Sequence, residues 1–341
     1  ESTLMKLTPG KLAGMKAVSD ARGVIAAAAM DQRGSLKKAL AKEKGGEISD
    51  AMMEEFKGLV TEVLTQHASA ILLDPEWGIP ASKRRAKGSG LLMAYEKTGY
   101  DANTPGRLPD LLDVWSVRRL KEAGADCLKI LLYYTPFDPK PINEFKHAWV
   151  ERIGDECRAN DIPFFLEFVG YEEGADEKGA AYAKKKPEVV KGAMEEFSKD
   201  RYGVDVMKVE IPINMKFVEG AQCAAAGTTP AYTRDEAKKL FNSVAAVAKK
   251  PFIYLSAGVS NAEFAESLAL AAESGVNYSG VLCGRATWKD GIAIYGKEGG
   301  DAFRKWLETK GVENIKNVNA ALAPCKPWFA FYGAKSADEL A

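Results

Sequence analysis

Short apolar runs recur along the chain, separated by polar stretches or by apolar residues at helical spacing. Residues 23–30, 69–75, 90–96, 126–134, 163–169, 204–212, 251–258 and 280–285 are rich in Val, Ile, Leu, Phe and Ala, and each is short enough to be a strand. Several read apolar on both faces, as expected of parallel strands covered on both sides. Between them, Met53, Phe56, Val60, Val63 and Leu64 predict a helix over 51–66. Further helices are expected over 116–123, where Gly124 supplies a stop, and over 145–159, 188–198, 234–248 and 262–274, with more from 301 onward. Eight strands alternating with helices predict one α/β domain over 1–341, a single (β/α)8 TIM barrel. It would carry a polar N-terminal leader, long loops over 172–187 and 219–232 after the fifth and sixth strands, and a helical C-terminal tail. The stretch between the second and third strands is too short for a helix of normal length. An open doubly wound sheet is the competing architecture, but no GxGxxG follows any strand.

The sixth strand departs most from a plain core pattern. Val206, Lys208 and Glu210 share one face and Met207, Val209 and Ile211 the other, which places an ammonium inside a buried strand. A buried lysine either pairs with an acid, Glu210 being the nearest in sequence, or gives up its proton. Three more polar residues interrupt apolar runs: Asp31 at the end of the first strand, Lys129 in the fourth and Glu167 in the fifth. In a barrel such residues collect at the C-terminal ends of the strands, where active sites lie. Two inward lysines are expected to discourage each other's protonation, with Glu167 free to neutralise one at a time. A lysine near its ordinary pKa of ~10.4 is neutral in roughly one molecule in a few thousand at pH 7, so such a push would make a usable nucleophile. A structural ion-pair network remains the alternative.

The ends of the seventh and eighth strands suggest an anion cradle. Ser256, Gly258, Gly284 and Arg285 fall where barrels commonly bind phosphate, with glycines exposing backbone N–H groups and Arg285 adding a forked donor. Taken alone, these glycines fit ordinary turns equally well.

Composition narrows the chemistry. Lys and Arg number 47 and Asp and Glu 47, so no global basic field exists to gather nucleic acid or an anionic membrane. There is no apolar run of the ~20 residues a membrane span needs, and residues 1–6 carry no signal-peptide pattern, so a cytoplasmic location is expected. The five cysteines, Cys127, Cys157, Cys223, Cys283 and Cys325, form no CxxC pair and fit reduced thiols. With His67 and His147 as the only two histidines, a three-His zinc site cannot be built, and both are expected to be structural or exposed. No metal or other cofactor is expected. Lys83, Arg84 and Arg85, like Lys184, Lys185 and Lys186, read as solvated loop charges, either run being able to touch a distal phosphate if its loop folds inward, and Trp77, Tyr95, Trp115 and Trp288 as packing residues.

The stretches AMDQRG (29–34), LLDPEWG (72–78), LLMAYEKTGYD (91–101), RLPDLLDVWS (107–116), KILLYY (129–134), PFFLE (163–167), DVMKVEIPIN (205–214), IYLSAGVS (253–260) and GVLCGRATW (280–288) together resemble the class I tagatose-1,6-bisphosphate aldolases. The resemblance spans nearly all of 23–320. It implies a metal-free aldolase that cleaves a ketohexose bisphosphate to dihydroxyacetone phosphate and glyceraldehyde 3-phosphate. It further implies Lys208 as Schiff-base lysine, Glu167 as acid and base, and Asp31 and Lys129 as proton-handling partners. Ser256, Gly258, Gly284 and Arg285 would surround the C1 phosphate, with Gln32 and Arg33 at the far phosphate. The partner is then a phosphorylated ketose, with homo-oligomerisation left open. Loops 174–186 and 221–230 differ from the family pattern, so a sulfonated or deoxy ketose phosphate is an alternative substrate, and a non-catalytic sugar-phosphate sensor or an isomerase an alternative role.

Overall fold

A computed structural model describes residues 4–99 and 104–341. The strands are β1 Ile25–Ala29, β2 Ala70–Leu73, β3 Gly90–Ala94, β4 Cys127–Tyr133, β5 Phe164–Val169, β6 Val206–Glu210, β7 Phe252–Leu255 and β8 Gly280–Cys283. Each pairs in parallel with the next, and β1 pairs with β8, which closes the barrel and removes the open-sheet alternative. The two-faced strands explain the architecture. Val206, Phe165, Ile253 and Leu282 point into the barrel, while Met207, Val209, Leu166 and Tyr254 pack outward beneath the helices.

The N-terminal leader, expected to be polar and irregular, contains a helix, Pro9–Val18. Pro9 sits in its first turn, where a missing N–H is harmless, and Leu12, Met15 and Val18 recur three apart on its buried face. The helix lies against the strand starts: Gly14 is in tight contact with the Asp126 carbonyl and Pro163, and Gly90 with the Ala17 carbonyl. Trp328 and Leu340 from the C-terminal tail join the same apolar cluster. This floor leaves the opposite, C-terminal ends of the strands for a site.

Helix Gly34–Lys44 has no counterpart among the expected elements. It buries Leu36 and Leu40 alone, too sparse a period to read. The link between β2 and β3 holds a single short helix, Ile79–Ser82, as its length required. Helix Gly291–Glu298 forms upstream of the expected start at 301. The helix expected over 188–198 runs Ala180–Phe197 and carries Pro187 inside it, which shortens the loop after β5. Proline lacks the N–H that would reach the Ala183 carbonyl four residues back, and a helix interior normally rejects it. Here the Tyr232 hydroxyl, from the loop after β6, donates to that carbonyl instead.

This substitution of donors is testable. Tyr232→Phe leaves a buried carbonyl unpaired and should lower stability by about 1–3 kcal/mol. Pro187→Ala restores the backbone donor, so Tyr232→Phe should cost clearly less in that background, as read from a double-mutant cycle in urea.

Candidate active site

Register brings the chemistry together. Glu167 and Lys208 stand side by side on β5 and β6, and Lys129 lies one strand further round on β4. The Lys208 ammonium is 3.1 Å from Glu167 Oε1, and the same oxygen is 3.4 Å from the Lys129 ammonium. Glu167 therefore faces both lysines at once, where the sequence had suggested one at a time. Lys129 is further held at 2.7 Å by Asp31 Oδ2 and at 2.7 Å by Glu96 Oε1. Glu96, which the sequence reading passed over at the end of a strand, completes a chain that runs from Arg33 through Glu96 and Lys129 to Glu167 and Lys208.

The two lysines differ in consequence. Burial disfavours the Lys129 charge, but Asp31, Glu96 and Glu167 outweigh it and lift its pKa above the usual lysine range, so the expected mutual lowering fails at Lys129. Burial would likewise raise Asp31, yet Lys129, Lys208 and Arg33 hold its carboxyl far below the ordinary 3.8. Lys208 has one hydrogen bond among the described residues, to a carboxylate oxygen it shares. It is the amine that can leave its partner most cheaply. Glu210 does not pair with it: this carboxylate accepts the Gly170 N–H at 2.7 Å and lies 4.0 Å from Lys186, and burial pushes its pKa upward.

Arg33 and Gln32, expected at the far phosphate, part ways. The Arg33 guanidinium turns inward, donating to the Asp31 carbonyl at 3.1 Å and to the Glu96 carbonyl and carboxylate at 2.6 and 3.2 Å. The Gln32 amide sits against Gly284, 3.2 Å from where a Cβ would project, next to the end of β8. In the cradle expected after β7 and β8, Ala257 and Gly258 take φ of +54° and +73°, a sharp left-handed bend off β7. The Arg285 guanidinium packs onto Gly258 so tightly that a Cβ there would lie 2.7 Å from its carbon. Lys289 steadies the bend by donating to the Gly258 carbonyl at 3.1 Å.

A fully buried lysine on helix Asp50–Leu64 fixes the Asp31 loop. Lys57 donates to the Met30 and Gln32 carbonyls at 2.7 and 2.6 Å and to Asp74 at 2.6 Å. Burial pulls this ammonium below the usual lysine range against the attraction of Asp74.

Asp31, Gln32, Arg33, Glu96, Lys129, Glu167, Lys208 and Arg285 open onto one cavity of about 1180 Å³ at the C-terminal ends of the strands, while Lys57 and Asp74 lie behind it. Lys186 lies on a helix in its wall, not on a solvated loop as expected. Arg84 and Arg85 are tied to Glu62 and to the Ser82 and Ser89 carbonyls, away from it. His147 binds the Tyr134 hydroxyl outside the barrel, and neither histidine lines the cavity. Trp288 packs on Phe56 and donates to the Ala29 carbonyl, a structural role. Among the described residues no three His, Cys, Asp or Glu side chains are grouped to hold a metal ion, and no helix is long and apolar enough to cross a membrane.

A buried amine sharing a carboxylate with a charged neighbour, on the strand beside the glycine-containing bend after β7 and within one cavity with Arg285, is suited to attacking a carbonyl carbon of an anionic substrate. The model of the DeoC/LacD family aldolases matches residues 25–290, from the start of β1 to just past β8, and the chain belongs to that family. Its relatives include a tagatose 1,6-diphosphate aldolase of Listeria monocytogenes, 53% identical over 333 residues that cover 97% of each chain. Tagatose 1,6-diphosphate aldolase 1 of Enterococcus faecalis is 52% identical over 320 residues, 94% of this chain and 96% of that one. The solved fructose-bisphosphate aldolase from Plasmodium falciparum, in complex with TRAP and a small-molecule inhibitor, aligns with a TM-score of 0.66 at 16% identity, over 95% of this chain and 98% of that chain, and shares the fold.

The ion chain makes a prediction about pH. Lys129→Met strands Asp31 and Glu96 as buried charges and should cost about 3–5 kcal/mol near neutrality. In the wild type the depressed Asp31 contributes stability that is complete above 3.8 and is lost as pH falls below it. Without Lys129, Lys208 and Arg33 still attract the carboxylate, but the strongest attraction opposing burial is gone, so the Asp31 pKa is less depressed and the variant loses less stability than wild type as pH falls below 3.8. Urea unfolding from about pH 7 to 3 should show the deficit shrinking at the acid end; a deficit that widens would mean that Lys129 does not hold Asp31.

Proposed function

We propose that this protein is a class I aldolase that cleaves tagatose 1,6-bisphosphate to dihydroxyacetone phosphate and glyceraldehyde 3-phosphate through a Schiff base on Lys208. The observation that carries the reading is the shared Glu167 oxygen, 3.1 Å from Lys208 and 3.4 Å from Lys129. The curated relatives bearing that activity, at about half identity along nearly the whole chain, support the choice of substrate. The five unpaired cysteines suit work in a reducing cytoplasm.

The proton steps follow from the geometry. Lys208 passes one proton to Glu167 and its lone pair attacks C2 of the ketose. Glu167 returns that proton to the C2 oxygen, then relays a second from the positively charged nitrogen of the adduct to the same oxygen, which leaves as water while the nitrogen becomes a protonated imine. Glu167, again a carboxylate, removes the C4 hydroxyl proton as the C3–C4 electrons move toward the imine. Glyceraldehyde 3-phosphate departs. Protonation of the enamine at C3 and addition of water at C2 then release dihydroxyacetone phosphate and restore the amine. Lys129, itself held by Asp31 and Glu96, keeps its charge throughout and holds Glu167 in place. The cradle of Ser256, Gly258, Gly284, Gln32 and Arg285 binds the C1 phosphate.

Reduction with borohydride in the presence of dihydroxyacetone phosphate should add a three-carbon unit to the peptide containing Lys208. Lys208→Ala should lose both the adduct and turnover. Glu167→Gln should still bind ligand while kcat falls by roughly 10²- to 10⁴-fold. An adduct on Lys129, or none in an active wild type, would sink the assignment and favour the isomerase or sensor roles.

Arg285→Ala should raise KM for phosphorylated ketoses at least about tenfold, since it removes a charge-assisted fork from the cradle. An unchanged KM would place the C1 phosphate elsewhere.

A further inference from the structure

Across the mouth from Arg285 lies a second cationic corner with an anion already on it. In a closed barrel whose eight strands follow chain order, the loop after β3 stands opposite β7, and the end of β4 opposite β8. Arg107, on the loop after β3, has a backbone φ of +42°, an uncommon conformation for a bulky residue. Its guanidinium carbon is 5.0 Å from the centre of the Tyr133 ring and 4.5 Å from that of Tyr171. Lys146 anchors both rings, donating to the Tyr133 carbonyl at 2.7 Å and the Tyr171 hydroxyl at 3.0 Å. The Arg107 side chain is 15% exposed and touches Glu177 Oε1 through one nitrogen at 3.1 Å. Its Nε is buried and meets no hydrogen-bond partner among the described residues.

Glu177 belongs to the loop after β5, which is tied to the Arg107 loop a second time by Glu173, whose carboxylate accepts the Gly106 N–H at 3.0 Å. Arg107, Glu177, Lys178 and Lys186 all line the cavity that holds Lys208. A carboxylate at the mouth of a site for a substrate with two phosphate groups is unfavourable by simple repulsion unless it moves. A phosphate group would improve on it at Arg107. Three oxygens can take Nε and Nη2 together, whereas Glu177 takes one donor and leaves the other unpaired.

We propose that Glu177 is an internal stand-in for the distal phosphate of the substrate: the phosphate displaces it from Arg107, with Lys178 and Lys186 close by, and the clasp between the loops after β3 and β5 is exchanged for a clasp through the ligand. This rests on the aldolase reading above and adds to it where the second phosphate goes and what it must evict. The chain thereby favours ketose bisphosphates over ketose 1-phosphates through a competition it carries within itself.

The test is steady-state kinetics with tagatose 1,6-bisphosphate and tagatose 1-phosphate on the wild type, Glu177→Gln, Arg107→Met and the double variant. Glu177→Gln should lower KM for the bisphosphate about three- to tenfold and shift the ratio of the two KM values in its favour. Arg107→Met should raise the bisphosphate KM about tenfold or more, far beyond its effect on the 1-phosphate. In the Arg107→Met background, Glu177→Gln should change little. A Glu177→Gln enzyme whose bisphosphate KM rises or stays put, or an Arg107→Met enzyme that loses both substrates equally, overturns the proposal. Borohydride trapping with dihydroxyacetone phosphate, which has no distal phosphate, separates the two readings. Trapping that persists while Glu177→Gln fails defeats this inference alone, and failed trapping in the wild type defeats both.

Discussion

Lys129 carries a full charge above the apolar inner layer of Phe165, Val206, Ile253 and Leu282, and its burial dictates the groups around it. An ammonium taken out of water is expensive unless each of its protons meets an acceptor. Asp31 and Glu96 accept two of them at 2.7 Å each, and Glu167 adds its charge at 3.4 Å. Three carboxylates around one cation would leave two negative charges buried, so the cluster recruits Arg33 behind Glu96 and Lys208 beside Glu167. Three cations then balance three anions. The position of Lys208 is thus the outer end of a neutral chain whose inner members cannot move without stranding a charge.

That arrangement separates lysines that serve structure from the one suited to chemistry. Lys57 is buried completely, and its three acceptors leave it nothing further to give. Lys11 closes on Asp205 at 2.6 Å beneath the barrel. Lys208, unlike Lys57 and Lys11, combines a shared partner with a place on the cavity wall, and unlike Lys129 it has a single hydrogen bond among the described residues. In an apolar run each of them reads alike. What distinguishes them is the count of acceptors contributed by other strands, a property of the closed barrel and its register.

The same distinction marks how far the sequence could be read. The strands were legible because both faces of each are apolar, and the inward positions of Asp31, Lys129, Glu167 and Lys208 followed from a period of two. Glu96 lay one residue past the apolar run of β3, where a carboxylate looks like a strand end, and its role appears only once β3 and β4 are paired. Helix Ala180–Phe197 was misread because Pro187 announces a start; the hydroxyl that repairs the break comes from Tyr232, forty-five residues away. Arg33 and Gln32 are adjacent, and their opposite directions depend on an Arg33 backbone with φ −122° and ψ −96°, which no local pattern signals. The clasp of Arg107 with Glu177 joins two loops, and loops carry no period to read.

The balanced chain also bears on the proposed chemistry. A protonated imine on Lys208 carries the same single positive charge as the ammonium it replaces, at nearly the same place. Glu167 therefore faces a cation in the resting enzyme and again when the C3–C4 bond breaks. Between those states, while the amine is neutral, the proton resides on Glu167, and Lys129 retains Asp31 and Glu96 as its acceptors. The net charge of the cluster stays constant as the proton shuttles over about 3 Å, so no step requires water or neighbouring dipoles to reorganise around a new buried charge. A preorganised field of this kind lowers barriers because its partners are already in place. Here they are placed by the burial of Lys129, which the barrel demands before any substrate arrives.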